Sequence, residues 1–192
     1  TTADNNTAVG MSALTANTTG AGNVALGKDA MLDHTTGSFN TALGYSSLFE
    51  STTGGSNVAV GASALQNTTT ASNNTGVGTS ALAANTTGGD NVAVGKGTLD
   101  ANTTASNNTA VGTYSLGANT TGTQNVAFGT QALLNNTTAN DNTAMGMNAL
   151  FANTTGARNT SVGSLTLDAN TTGVGNTGLG YGALSGNTTA DN

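Results

Sequence analysis

The chain contains no cysteine, no proline, no tryptophan and no isoleucine. The lack of cysteine excludes disulfides and thiolate–metal chemistry. Large apolar residues are scarce, because Leu, Val and Phe together supply 31 of the 192 residues, a smaller share than in ordinary globular chains. Only 6% of the residues are charged, so the composition also differs from that of highly charged disordered proteins. Such a chain is suited to building a thin core.

Basic residues are equally scarce, and the three present are Lys28, Lys96 and Arg158. Spread along the chain, they form no phosphate-binding track, so nucleic acid is not expected as a partner. No apolar run approaches the roughly 18 residues of a membrane span, and no signal peptide is recognisable. The sequence therefore predicts no membrane span.

The sequence does contain one short repeat, which recurs with a constant period of seventeen residues. Its first position is the Asn series Asn6, Asn23, Asn40, Asn57, Asn74, Asn91, Asn108, Asn125, Asn142, Asn159 and Asn176. A Gly follows each Asn at the fifth position of the unit, as at Gly10, Gly27, Gly44, Gly61, Gly78 and Gly95. Position nine is Leu, as at Leu14, Leu65 and Leu82, except for one Met, and positions 13 and 14 are always Thr-Thr. We interpret residues 1–192 as a single array of eleven units starting at Asn6, with residues 1–5 as the tail of a preceding unit.

This period predicts an all-β fold, a parallel β-solenoid with one coil per unit. Positions two to four alternate as a short strand, in which positions two and four share a face. The Gly at position five ends the strand with a residue that tolerates φ > 0. We expect a second strand at positions seven to nine, a turn at Asn-Thr-Thr-Gly, and burial of Val9, Leu14 and their equivalents.

Stacking of equivalent residues about 4.8 Å apart converts each repeated position into a ladder. Side-chain amides of the Asn series are expected to bond from coil to coil and to the turn backbone. A variation in the turn accompanies this pattern: where Thr-Thr is followed by Ala rather than Gly, the next position two is Thr. The Ala residues concerned are Ala3, Ala71, Ala105 and Ala139.

Energetics favour assembly of several chains. Each coil buries about two sizeable apolar side chains, worth roughly 1.5–3 kcal/mol apiece. Ordering a residue costs on the order of 1–2 kcal/mol in backbone entropy, and each coil orders a whole repeat unit. Burial of a further face against other copies would reduce this deficit, so we expect the chain to associate with itself, most naturally as a homotrimer.

Segments such as Asn23-Val24-Ala25-Leu26-Gly27 and Asn91-Val92-Ala93-Val94-Gly95 resemble the head repeat of YadA-like trimeric autotransporter adhesins. The fuller unit from Asn142 to Gly156 looks like repeats of phage tail fibres that end in a self-cleaving intramolecular chaperone. This resemblance covers the whole chain and implies a left-handed, trimeric parallel β-roll. The period of seventeen is longer than is usual in adhesin heads.

Candidate chemistry is sparse. His34, the only His, occupies a position that is Asn in eight other units and is interpreted as a turn residue. A weak calcium site at Asp29 and Asp33 is an alternative to solvated loop charge, and Asn17-Thr18-Thr19 matches the glycosylation sequon. Side chains at positions six and ten are either packing residues or receptor contacts: Met11, Leu32, Tyr45, Phe49, Leu134, Met147, Phe151 and Tyr181. No catalytic site, metal or cofactor is expected.

These patterns indicate a structural rod of an extracellular fibre, on a bacterial cell surface or in a virion tail, that attaches to a host or surface. Its expected partners are further copies of itself and a cell-surface glycan or protein receptor. An ice-binding solenoid that uses the Thr ladder is the alternative. Residues 188–192 repeat residues 1–5, which predicts a window from a longer array or end-to-end continuation in a filament.

Overall fold

A computed structural model describes residues 3–191 and contains eleven three-residue strands. They are β1 Thr7–Val9, β2 Val24–Leu26, β3 Thr41–Leu43, β4 Val58–Val60, β5 Thr75–Val77, β6 Val92–Val94, β7 Thr109–Val111, β8 Val126–Phe128, β9 Thr143–Met145, β10 Thr160–Val162 and β11 Thr177–Leu179. Within residues 3–191 no segment is helical, so none of them forms a helix that could cross a membrane. The predicted junction between Asn192 and Thr1 lies outside the described residues.

All eleven strands form one parallel sheet, in the order in which they occur along the chain. Each residue pairs with its equivalents in the coils before and after it, as Val92 pairs with Thr75 and with Thr109. Hydrogen bonds extend the ladder past the strand ends, for example from Gly95 N to Val77 O at 2.8 Å. The predicted parallel β-solenoid, with one coil per repeat unit, is confirmed.

The side of the sheet that faces inwards carries the small residue of each strand. In β2–β11 the middle residue is buried, while positions two and four are exposed or half-exposed. The prediction that Val9 and its equivalents are buried is therefore wrong, and Val9 itself is 56% exposed. The interior is too narrow for two large side chains: at Gly76, a Cβ would already lie 3.3 Å from the Leu65 side chain.

Positions seven to nine form turns, so the predicted second strand is wrong. In the fifth coil, Ala81 N donates to Gly78 O and Asn85 N donates to Leu82 O, both at 3.2 Å. Ser80 has φ 57°, as the third residue of a type II turn requires, and Leu82 has φ 54°. A left-handed Leu is strained, but this conformation directs its side chain into the core, where Leu82 is fully buried. Leu65 is likewise fully buried, and Leu14 is half-buried.

The Gly at position five has the positive φ that was predicted. Gly95 has φ 135°, and a Cβ placed on it would lie 2.7 Å from the carbonyl carbon and oxygen of Gly112 in the next coil. Both the backbone conformation and the close approach of consecutive coils therefore require glycine here.

Two turn conformations account for the variation between Gly and Ala at position 15. In most coils with Gly, the second Thr N–H bonds to the next coil, as from Thr87 N to Thr103 O at 3.3 Å. Thr104 N, which precedes Ala105, makes no such bond within residues 3–191. A Cβ at Gly88 would lie 2.1 Å from Ala105 O, so this turn has no room for Ala. Gly89 N then donates to Ser106 Oγ at 3.0 Å, which links the Gly turn to the Ala turn above it.

Candidate functional surface

The Asn series forms a hydrogen-bonded ladder inside the rod. Asn91 donates from its backbone N and its Nδ2 to Asn74 Oδ1, at 3.0 and 3.1 Å. Its Nδ2 also donates to Ala105 O at 2.9 Å, which ties the first position of the coil to its fifteenth. Members from Asn23 to Asn176 are buried, and Asn6 is half-buried. The ladder satisfies polar groups that would otherwise be costly to bury.

A second ladder, at position 12, was missed by sequence reasoning. Asn102 Nδ2 donates to Asn85 Oδ1 at 2.9 Å and to Ala105 O at 3.1 Å. The signal was present, since Asn fills this position in eight of the eleven units, but it was interpreted only as turn composition. The core of a typical coil therefore consists of one Leu, two small residues and two Asn side chains.

His34 replaces Asn in the second ladder. Its Nε2 lies 2.8 Å from Gly37 O, the acceptor that Asn uses in other coils, and its Nδ1 lies 3.3 Å from Ser51 Oγ. Burial lowers the pKa of this imidazole, against the opposing effect of its hydrogen bonds. Because a carbonyl only accepts, Nε2 carries the proton and Nδ1 accepts from the Ser51 hydroxyl. Both ring nitrogens of His34 are therefore hydrogen-bonded inside the rod.

The two Thr of each unit behave differently. The first donates its hydroxyl to the same position of the next coil, as from Thr86 Oγ1 to Thr103 O at 3.0 Å. The second, such as Thr87, is exposed in every coil and forms a single column along the rod. The sequon Asn belongs to the second Asn ladder: Asn17 is half-buried and its Nδ2 donates to Gly20 O at 3.0 Å. The side-chain amide that glycosylation would modify is therefore already hydrogen-bonded to the turn backbone.

Apart from one ion pair, the charged groups within residues 3–191 form no cluster. Asp29 is 3.6 Å from Lys28 Nζ, and Asp33 is exposed in the turn that follows. No group of three or more potential metal-binding side chains occurs within residues 3–191, and no pocket is found in that part of the chain. Burial raises the pKa of Asp100, which lies at position ten of its coil.

One surface feature that runs along all eleven strands is the outward side of the sheet, which we name the outer sheet face. It consists of positions two and four of each coil, that is, the first and last residues of β1–β11. None of these residues is charged, and all are Thr, Val, Leu, Met or Phe. Continuous, largely apolar stretches of a protein surface often mark interaction sites, so this face has the character of an interaction surface.

Larger side chains border this face. At position six, Met11, Tyr45, Met147 and Tyr181 are all more than half exposed. Lys28 Nζ lies 5.5 Å from the centre of the Tyr45 ring in the next coil, and Lys96 Nζ lies 5.8 Å from that of Tyr114. The position-ten residues Leu32, Phe49, Leu134 and Phe151 are half-buried.

No family model, no curated protein and no solved structure matches the chain. The fold and its ladders define the class: a parallel β-solenoid repeat protein with an uncharged outer sheet face.

Proposed function

We propose that this protein is a structural rod of an extracellular fibre, such as the head or shaft of a surface adhesin or a phage tail fibre. In that role it carries attachment to a host or surface and performs no catalysis. One observation carries the proposal: the outer sheet face continues without a charge along all eleven strands. A uniform rod with one uncharged side is suited to bundling with copies of itself into a thicker fibre.

The interior supports a mechanical role. Every coil repeats the same backbone register, and the Asn ladders join successive coils through buried hydrogen bonds such as Asn108 Nδ2 to Asn91 Oδ1 at 3.3 Å. Eleven coils at about 4.8 Å each give a length of roughly 50 Å. We propose a homotrimer as the assembled form, which is also what the resemblance to YadA-like heads implies.

The proposal is tested by immunogold electron microscopy of the source cells or particles, with an antibody raised against this segment. Label along surface fibres or tail fibres is expected. Label confined to the cell interior would overturn the proposal. Binding of the purified rod to a glycan array or to host cells then tests whether it contacts the receptor itself, with exposed Tyr45 and Met147 as the first residues to substitute.

A second candidate is ice binding, favoured by the unbroken column of exposed Thr at position 14. The first Thr of each pair is half-buried in most coils and donates its hydroxyl internally, so the column is one residue wide. A thermal-hysteresis measurement decides the matter: activity that is lost on Thr104→Lys would favour this candidate, and its absence in the intact chain would eliminate it.

A further inference from the structure

The second Asn ladder does not run the whole length of the rod. Its side chains bond to one another from Asn85 in the fifth coil to Asn170 in the tenth, at 2.9–3.1 Å. In coils two, three and four the same position holds His34, Ser51 and Thr68. All three are fully buried, so they occupy the part of the interior that Asn fills elsewhere. The hydrogen bonding of the interior therefore changes between coil four and coil five.

The three replacements make fewer hydrogen bonds than Asn does. In coils six to ten, each Asn bonds to the coil before it and to the turn carbonyl of its own coil, as Asn153 Nδ2 does at 3.0 and 2.9 Å. His34 also reaches its turn carbonyl, and it contacts Ser51 Oγ in the next coil at 3.3 Å. Within residues 3–191, Ser51 makes no bond to its own turn carbonyl and Thr68 Oγ1 makes no hydrogen bond at all. At this position coil four therefore lacks both bonds, and coil three lacks the one that closes the turn.

The other interior contacts of these coils match those of the rest of the rod. The first Asn ladder is continuous here, with Asn57 Nδ2 donating to Asn40 Oδ1 at 3.1 Å. Position nine is filled by the fully buried Met31, Leu48 and Leu65, as it is by a buried Leu in each of coils five to ten. The strand side is thus held in the same way throughout, and the difference is confined to the turn side, positions nine to fifteen.

The stability of a solenoid is approximately the sum of what each coil and each contact between neighbouring coils contributes, so a run of coils with fewer bonds opens first. We infer that coils two to four, residues 23–73, form a soft segment that opens locally on its turn side while coils five to ten stay closed, and that opens more readily in mild acid. The inference goes beyond the proposed function and does not depend on it. It gives an otherwise uniform rod a defined place at which to bend or unravel.

The response to acid arises from the surroundings of His34. Its hydrogen-bond partners are a carbonyl and a hydroxyl, which are uncharged. Coil one carries no titratable side chain, and those of coils two and three are Lys28, Asp29, Asp33, Tyr45 and Glu50. Asp33 and Glu50 are exposed, and within residues 3–191 no carboxylate forms an ion pair with the ring. A proton on the imidazole therefore places an unpaired charge inside the rod, and opening relieves its cost.

Hydrogen–deuterium exchange of the purified chain, followed by mass spectrometry of its peptides, tests the inference. The backbone N–H groups of Ser51 and Thr68 donate to the position-nine carbonyls of coils three and four at 3.4 and 3.2 Å. Their equivalents Asn153 and Asn136, in coils nine and eight, make the same bonds at 3.2 and 3.1 Å. Coils nine and eight lie as far from coil eleven as coils three and four lie from coil one, so fraying of the two ends affects each pair alike.

We expect protection factors roughly five- to a hundredfold lower at positions nine to fifteen of coils three and four than in coils nine and eight. Each missing hydrogen bond raises the open population about two- to tenfold. Ser51→Asn together with Thr68→Asn extends the ladder and should raise protection to the level of coils eight and nine. Ser56→Asn is the matched control, because this exposed position of coil three is Asn in other units, and it should change nothing.

Lowering the pH from 7.5 to 5.5 should reduce protection of the soft segment by up to about tenfold, after correction for the intrinsic exchange rate. The reason is that His34 in an opened coil, with a pKa of about 6.5, takes up the proton. His34→Asn should abolish this reduction.

Equal protection in the paired coils would overturn the soft segment, and so would an equal gain from Ser56→Asn and from the double substitution. A loss of protection in acid that is as large in coils eight and nine, or that persists in His34→Asn, would overturn the response to acid. Because these measurements use the isolated chain, their failure and the failure of the immunogold test are distinguishable.

Discussion

Asn91 and Asn102 donate hydrogen bonds to one acceptor, the carbonyl oxygen of Ala105, at 2.9 and 3.1 Å. The first lies before strand β6 and the second lies in the turn after it, so the shared carbonyl joins opposite parts of one coil. Since each side chain also bonds to its equivalent in the coil below, the acceptor is the point at which two axial ladders meet.

The junction predicts the effect of Asn91→Ala. This substitution removes the bond to Ala105 and leaves the backbone N–H of Asn108, which donates to Asn91 Oδ1 at 3.0 Å, buried without a partner. An orphaned buried group costs about 1–3 kcal/mol, so we expect destabilisation of about 2–4 kcal/mol in chemical denaturation. Thr104→Ala, on the exposed surface of the same coil, is the control and should stay within about 0.5 kcal/mol of the unsubstituted chain. Equal effects would show that the ladder contributes no net stability.

Thr68→Asn should stabilise the rod. Thr68 lies next to Asn85, where the unbroken Asn run of the second ladder begins, and its buried Oγ1 has no hydrogen-bond partner within the described residues. An Asn of similar size would donate to Ala71 O and accept from Asn85 Nδ2, as its equivalents do in other coils. Each net hydrogen bond is worth about 0.5–1.5 kcal/mol, so the unfolding free energy should rise by about 1–2 kcal/mol. Thr70→Asn on the exposed column is the control, and a rise in both variants would point to a cause other than the ladder.

Gly95→Ala should disrupt its coil, because φ is 135° and the added Cβ would meet the Gly112 backbone at 2.7 Å. We expect a loss of at least about 2 kcal/mol, from backbone strain together with separation of the two coils. Gly117→Ala is the matched control: its φ is not in the left-handed region, and its Cβ would chiefly approach the movable end of the Leu134 side chain, at 2.9 Å. Similar melting temperatures for the two variants would refute a special role for position five.

The sequence predicted the features that depend on period alone. A strict period of seventeen determines which residues stack, so the parallel sheet and the Leu ladder could be derived without coordinates. Whether Val94 faces the interior or the solvent could not be derived from the sequence. Alternation indicates that Val92 and Val94 share a face, but it does not indicate which face of the strand is interior. The usual assumption that the larger apolar residues are buried fails because Leu99, entering from a turn, already fills the interior.

The turn at positions seven to nine could not be predicted from the sequence, for a different reason. Leu99 has φ 52°, a backbone conformation that Gly and Asn adopt more readily than Leu does. No local sequence pattern predicts this conformation. Burial of the side chain and the backbone bonds of two successive turns outweigh the local strain. The outer sheet face is a consequence of this turn. Because Leu99 enters the interior from the turn, only a small residue such as Ala93 fits on the inner side of the strand, and the larger strand residues face outwards.

The stability of the rod should fall in mild acid because of His34. Its folded pKa is lowered by burial, so the unfolded chain, with a pKa of about 6.5, binds the proton more readily. The stabilising contribution of the neutral imidazole is therefore fully present above about pH 6.5 and is lost as the pH falls from there towards the lowered folded pKa. Asp100 has its pKa raised by burial, so protonation relieves its cost, and that change has the opposite sign. Melting temperatures measured from pH 7.5 to 5 should decline for the unsubstituted chain and remain nearly level for His34→Asn, which restores the residue found in most coils. An identical decline in both proteins would mean that other groups govern the acid sensitivity and that His34 is not the buried base described here.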